Sequence, residues 1–494
     1  MSSPSARAEG AGATGLTLAM PLVLAQFVAS YAGTNMNVAI SAIADDLGTS
    51  VTGLQTTITL FTLTMAALMI PGSKLSDIWG RKRCFLLGLV IYGIGAVLAA
   101  LSQGLGLMIV GYSLLQGIGS ALMIPPIYIL ITVSFRDPRA RAKWFGAVSG
   151  AAGLGAAAGP LIGGLITTTI SWRASFIVQA LLVALVAFLA RRIVDEGALE
   201  DRPFDLVGAA LSAVGLFFLV FGVLLTSTYG WGTAREAVTI GDVELIPQGG
   251  ISPFWLFLAL GLLVLLLFYR HIVARERGGD EPLLATRIFR NTTSNLGLVT
   301  QTLQWLVLQG SFFVISVYVQ EIHGKNAIET GIILTPATIG ILAASAAAQR
   351  MASRHTQRRL IRAGFTTTAI GMALVLAMVR DTASLWAFAP GLFLMGCGIG
   401  IMLTSSVNVV QSSNPEGDQG DVSGLSRSVS NLGSSLGTAL VGSVMVASAR
   451  PDGGPFAVAL SLLVVLTLLG TFVALILPKQ TDTVAGAAET RTGG

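Results

Sequence analysis

Charge is scarce in this chain, and one short stretch of it interrupts the apolar sequence early. Residues 72–83 read Gly-Ser-Lys-Leu-Ser-Asp-Ile-Trp-Gly-Arg-Lys-Arg, a charged break between two long apolar runs. Each residue type there suits a particular task. Gly80 permits a tight turn that other residues enter at a cost. Asp77 can sit against a neighbouring helix N-terminus or pair with a basic residue. Arg81, Lys82 and Arg83 can reach anionic headgroups while their stems lie along apolar surface. Gly72, Asp77, Gly80 and Arg81 together describe a latch that must break if two rods rock against each other.

A second pattern lies at 155–164. Gly155, Gly159 and Gly163 recur every four residues, with Gly164 beside them, and strip one helix face of side chains. A neighbouring helix can then approach closely. Pro160 removes a backbone donor and bends the helix. A bent, smooth face is suited to a sliding gate.

Polar residues inside apolar runs form the third set: Asn35, Asn37, Gln116, Gln301, Gln304, Trp305, Asn408, Arg427 and Asn431. They are the candidates for lining a cavity and binding a substrate. Asn35 and Asn37 cannot share one helical face. Gln301, Gln304 and Trp305 do. The competing use of each amide is an interhelical hydrogen bond worth about 0.6 kcal/mol. A buried arginine needs a partner, so Arg427 meets substrate or a lipid headgroup, unless it lies near enough to a span end to snorkel.

Other chemistry is missing. Cys84 and Cys397 are far apart, and His271, His323 and His355 are scattered, so neither a disulfide framework nor a metal spacing exists. No P-loop occurs, and no Gly-rich dinucleotide turn follows a strand. The expectation is no enzyme, no cofactor and no metal.

The elements that must position these residues are membrane helices. The 494 residues are 53% hydrophobic and 11% charged, where a soluble domain carries about 25% charge. Mean hydropathy is +0.76. Apolar runs of about 20 residues recur, which defines an all-α polytopic membrane protein. The alternating ten-residue segments of a barrel are lacking. Fourteen spans are predicted, at 16–42, 52–71, 84–102, 105–134, 141–168, 173–191, 205–227, 252–273, 294–321, 328–349, 359–379, 384–411, 421–448 and 455–477. With this count, 25 of the 30 Lys and Arg residues fall on one side. That places both termini in the cytoplasm, in a multi-pass protein of the plasma (inner) membrane. The net charge of +5 is then a topology signal, not a nucleic-acid footprint. The apolar stretch after Arg7 runs too long for a cleavable signal. The outer loop 227–250 reads as a tolerated insertion, and the tail from Gln480 as disordered.

The chain also repeats itself. Residues 352–359 echo 76–83, and 433–442 echo 155–164, at nearly the same offset. The economical organisation is a tail (1–15), a six-helix bundle (16–191), a linker with two extra helices (192–293), a second six-helix bundle (294–477) and a final tail (478–494).

These residues resemble the major facilitator superfamily, across nearly the whole chain. More narrowly, the chain is similar to the fourteen-span drug:proton antiporter branch of the EmrB/QacA type. The 72–83 stretch resembles the superfamily's loop signature between spans 2 and 3. The 155–164 stretch resembles the antiporter signature of exporters. The resemblance implies two six-helix bundles around a central cavity that opens alternately to each side. It also implies a monomeric secondary carrier whose partners are a small amphipathic substrate and the lipid bilayer, with no nucleic acid.

Two departures bear on mechanism. The branch carries an aspartate in span 1, near Asp-x-Thr-x-x-Asn-Val-Ala. Here Thr34, Asn37, Val38 and Ala39 match, but Ala32 holds the aspartate position. The branch carries arginine in span 4, as Arg-x-x-Gln-Gly-x-Gly. Here Ser113 precedes Gln116, Gly117 and Gly119. No Asp or Glu lies deep in any predicted span, so local chemistry does not support proton antiport. Asp205 reads as a helix N-cap, while Glu321 and His323 lie near the outer surface. A cavity without carboxylates suits a neutral, amphipathic or anionic cargo. The expected function is export of drugs, antibiotics or secondary metabolites. A same-fold carrier of lipid or metabolite, importing or not proton-coupled, is the alternative.

Overall fold

The structure is a computed structural model that describes residues 4–135, 138–193, 204–240, 243–351, 355–378, 384–415, 419–447 and 454–478. Residues 352–354 of the second echo and the tail from Gln480 lie outside it.

Helix α1 (Pro4–Val38) begins well before the apolar stretch and breaks at Ala39 into the short α2 (Ile40–Leu47). Helices α3 (Val51–Trp79) and α4 (Arg81–Ala100) meet at Gly80, whose φ of 96° is the turn that its lack of a Cβ allows. Next come α5 (Leu105–Met108), a π-helical turn (Ile109–Gln116) and α6 (Gly117–Ser134), followed by α7 (Pro138–Thr169) and α8 (Trp172–Ala190). Helices α9 (Leu206–Tyr229) and α10 (Pro253–Gly278) flank an antiparallel hairpin, β1 (Val238–Ile240) and β2 (Val243–Ile246). The 227–250 loop thus contains a small sheet. Helix α11 (Thr292–Val317) ends in a π-helical turn (Tyr318–Ile322). Helices α12 (Ala327–Met351), α13 (Gln357–Met378), α14 (Ala389–Ser412), α15 (Gln419–Ala447) and α16 (Gly454–Ile476) complete the chain.

Among the described residues twelve helices are long and apolar enough to cross a membrane, or thirteen if the bent α7 is one span. The bend is 40°, between Ala156 and Ala158. Pro160 explains it, because its ring crowds the carbonyl four residues back and has no hydrogen to give it. Apolar side chains face outward, as in α10, where Leu256, Leu262, Leu263 and Leu266 are each more than half exposed. Amides such as those of Asn37, Gln116, Gln301 and Gln304 are inside instead. That inversion of polarity is what a hydrocarbon solvent imposes.

The helices before Arg191 pack among themselves, as do those after Asn291. Helix α1 lies along α7, and α11 lies along α15. The two sets meet along α3 and α15, with α9 behind both, and along α7 and α12. One end of the molecule carries the 72–83 stretch and is called the basic end below. The other carries β1–β2 and is called the hairpin end.

Candidate substrate pathway and gates

The 72–83 stretch is helix, turn, helix. Asp77 Oδ1 lies 4.0 Å from Arg81 Nε across the Gly80 turn. The carboxylate therefore pairs with a basic residue of its own stretch, and both groups are a quarter to a third exposed. An ion pair of that kind is worth about 0–1 kcal/mol, which is weak enough to break in a transport cycle. Lys82 Nζ donates to the Arg191 carbonyl at 2.9 Å and ties the turn to the end of α8. Trp79 is half exposed and forms a surface crevice with Arg83 and Leu87, the side chains of a membrane interface. Gly72 packs elsewhere, since a Cβ on it would collide with the Ala121 carbonyl of α6.

The glycine face of α7 serves two neighbours. A Cβ on Gly155, Gly159 or Gly163 would collide with Phe27, Thr34 or Asn35 of α1. On Gly164 it would collide with the Ala327 carbonyl of α12, and on Gly331 of α12 with the Pro160 carbonyl. The first three glycines thus lock α7 to α1 within one set of helices. Gly164 and Pro160 join the two sets. Ile328 N also donates to Thr168 Oγ1 at 3.1 Å. Towards the basic end the same helix is bare, for a Cβ on Gly150 or Gly153 would meet nothing within 4 Å.

The contacts of α1 with α11 also cluster at the hairpin end. Gln309 Nε2 donates to the Gly33 carbonyl at 3.1 Å, and Gln320 Nε2 to the Asn37 carbonyl at 3.2 Å. Ser41 N donates to Gln320 Oε1 at 3.2 Å, and its hydroxyl to Glu321 at 2.9 Å. A crevice of about 270 Å³ remains there, lined by Gln55, Phe313, Glu321, Met445 and Phe456. It is smaller than the pocket of about 300–1,000 Å³ a drug-sized molecule needs.

Eight of the nine candidate substrate residues divide into three groups. Asn37, Gln116 and Gln304 are at most 1% exposed, and neither polar atom of any of their amides has a hydrogen-bond partner. Leaving such groups unpaired costs about 1–3 kcal/mol each, so they call for water or ligand. Asn35, Gln301 and Asn431 have hydrogen-bond partners within the protein. Asn35 accepts from Tyr31 at 3.3 Å and packs on Gly163. Gln301 bonds Ser426 and Ser430 of α15 at 2.9 and 2.8 Å. Asn431 donates to the Arg427 carbonyl in its own helix at 2.9 Å. Trp305 is half-buried, and Asn408 is exposed on α14.

Arg427 has a protein partner. Its guanidinium lies 4.8 Å from the Tyr128 ring centroid and donates to the Tyr128 hydroxyl. Tyr128 in turn donates to Gln26 Oε1 at 3.5 Å. This chain links α15, α6 and α1 near the basic end. Tyr128 and Gln26 are absent from the sequence-derived set. A tyrosine just past Pro125 and Pro126, inside an apolar run, was the available signal.

The fold and these sites are those of a polytopic membrane protein whose two helix sets meet over polar side chains, most of them uncharged. The family model of the Major Facilitator Superfamily matches residues 22–241, 206–438 and 299–491. The chain belongs to that superfamily, and is a transporter rather than an enzyme. It is 28% identical to a probable actinorhodin transporter of Streptomyces coelicolor, over 83% of this chain and 69% of that one. It is 29% identical to a puromycin resistance protein of Streptomyces alboniger, over 86% and 80%. It is 28% identical to a cephamycin export protein of Amycolatopsis lactamdurans, over 87% and 85%.

Proposed function

We propose that this protein is a secondary efflux carrier of the plasma membrane. It exports small amphipathic compounds, antibiotics or secondary metabolites, by alternating access. One asymmetry supports this reading above all: α7 is sealed against α12 at the hairpin end but bare at Gly150 and Gly153 towards the basic end. With the basic end cytoplasmic, as the distribution of Lys and Arg favours, that is a carrier closed to the outside. The names of the three relatives above, a transporter, a resistance protein and an export protein, support export.

In this reading α1 and α7 complete fourteen spans, and both termini are cytoplasmic. Two six-helix bundles rock about the α3–α15 contact, with α9 and α10 inserted between them, and the protein acts as a monomer. Gly164 and Pro160 form the outer gate against α12, while Asp77, Gly80 and Arg81 form the inner latch. Asn37, Gln116 and Gln304 meet the cargo. Their amides offer donors and acceptors without charge, which suits a neutral amphipathic compound better than a cation. Everted membrane vesicles test the direction. Accumulation of an antibiotic inside them is the expected result, and loss from preloaded everted vesicles would mean import.

A further inference from the structure

At the basic end, apart from the latch, His271 and Arg275 converge on one carboxylate. Asp205 is 2% exposed, although it stands just before α9. Its Oδ1 accepts the Gly208 amide at 2.9 Å and so caps that helix. The same oxygen lies 2.8 Å from His271 Nε2 and 3.7 Å from Arg275 Nη1, both near the end of α10. Its Oδ2 accepts the Leu283 amide at 3.2 Å, beyond α10. An ionised carboxylate only accepts, so His271 carries a hydrogen on Nε2. A cap needs one oxygen; the second holds a different segment.

That segment, 279–291, runs from α10 to α11 across the place where the two helix sets meet. Leu283, Leu284 and Ile288 are each 1% exposed, in one apolar cluster with Ile70 of α3 and Val422 of α15. The Ala285 amide donates to Asp421 Oδ2 of α15 at 3.1 Å. Lys74 Nζ of α3 lies 3.7 Å from Glu281 and 3.9 Å from Asp421. The segment is therefore fastened to both sides of the α3–α15 seam. At this level a Cβ on Gly424 of α15 would lie 3.1 Å from the Cβ of Ser73 of α3.

We infer that Asp205 is a positioning residue for transport: it holds 279–291 as a strap across the basic end of the α3–α15 seam, so the inserted pair α9–α10 sets how readily that end parts. The inference rests on the carrier reading. It gives the inserted helices a task beyond filling lipid-facing space, and gives Lys74 one separate from the Asp77–Arg81 latch.

The test uses the full chain in membrane vesicles, with Cys84→Ser and Cys397→Ala as background. The pair Ser73→Cys with Gly424→Cys reports the strapped end by oxidative cross-linking, because adjacent Cβ atoms suit a disulfide. The pair Gln55→Cys with Gly442→Cys reports the hairpin end, where Gly442 packs on Gln55. Asp205→Ala should slow cross-linking at 73/424 about threefold or more by shifting the seam towards its parted state. The 55/442 pair should keep its rate. Lys74→Gln and Asp421→Asn should reproduce the effect. Export should lose maximal rate while KM stays within about twofold. If Asp205→Ala keeps the 55/442 rate and also cross-links 73/424 at the parental rate, the strap is refuted. If Asp205→Ala fails to fold, unchanged 73/424 rates in both Lys74→Gln and Asp421→Asn refute it instead. If parental vesicles accumulate no compound while cross-linking still depends on Asp205, the carrier reading fails and the transport role falls with it.

Discussion

The Tyr112 hydroxyl donates to the Ala32 carbonyl at 3.1 Å, and both residues are buried. Ala32 and Ser113 hold the positions at which the similar drug:proton branch carries its aspartate and arginine. Ser113 turns to α3 instead, donating to the Thr57 carbonyl at 2.7 Å. A neutral hydrogen bond thus joins α1 to the π-helical turn where a charged pair would be expected to handle protons. Vesicle transport should therefore keep about half or more of its rate when the pH gradient alone is collapsed, since no buried carboxylate is present there to carry the proton. Full loss with a protonophore, at clamped membrane potential, would contradict this.

The two uses of the α7 glycine face should separate in mutants. Gly159→Leu overpacks α7 against Thr34 of α1 and should cost about 1–3 kcal/mol of stability. Gly164→Leu meets the Ala327 carbonyl across the hairpin-end seam and should abolish transport with a smaller loss of stability. Thermal unfolding in detergent, measured beside vesicle transport, separates the two. Equal unfolding losses would remove the distinction.

Arg427 should tolerate loss of its hydrogen bond better than loss of its charge. The ring of Tyr128 lies under the guanidinium at 4.8 Å. Tyr128→Phe keeps the ring and should lower transport only a few-fold, while Arg427→Ala should lower it about tenfold, the equivalent of about 1.4 kcal/mol. A larger loss from Tyr128→Phe than from Arg427→Ala would show that the hydroxyl matters more than the stacking.

The unpartnered amides predict stability and function moving in opposite directions. Gln304→Leu replaces a buried amide without partners by an apolar group of similar volume. It should raise or leave unchanged the unfolding temperature, because an unsatisfied buried amide costs about 1–3 kcal/mol. Transport should fall or change its substrate range. A clear loss of thermal stability would mean that Gln304 is bonded within the fold.

Asp205 gives a pH dependence of defined sign. Burial pushes its carboxyl up, but the Gly208 amide, His271 and Arg275 outweigh burial and hold it below its ordinary value. A depressed carboxylate contributes stability at pH values above its unfolded pKa of about 3.9 and loses it as pH falls through the folded value. This contribution should thus be constant from neutral pH down to about pH 5 and decline only in stronger acid. Asp205→Asn should lower stability by about 1–3 kcal/mol at neutral pH and flatten the acid limb. An acid limb identical in both proteins would remove Asp205 from the linkage.

Much of this was legible in advance because it is written in neighbouring residues. Gly80 as a turn and Asp205 as a cap depend on positions within a few residues of each other. The capacity of Gly155, Gly159 and Gly163 to admit a helix is equally local. Which helix they admit is not, and α1, not the opposite helix set, takes all three. Gln301 and Gln304 share a face by spacing, yet one bonds two serines of α15 and the other bonds nothing. That difference depends on the register of α15 against α11. Lys74 read as one more basic residue of a loop until α15 brought Asp421 to within 3.9 Å.

The amino-acid sequence by itself determined the solvent and the class of this protein. Long apolar runs with few charges admit only membrane helices, because every backbone group must bond within its own segment. The loop and glycine signatures then pointed to the superfamily. The tertiary structure alone decided which polar groups are spent on packing and which remain unpaired, and at which end α7 packs against α12. It also decided that Asp205 reaches past its own helix to the chain beyond α10. These outcomes depend on how helices distant in sequence align side by side, a relation that no local spacing contains.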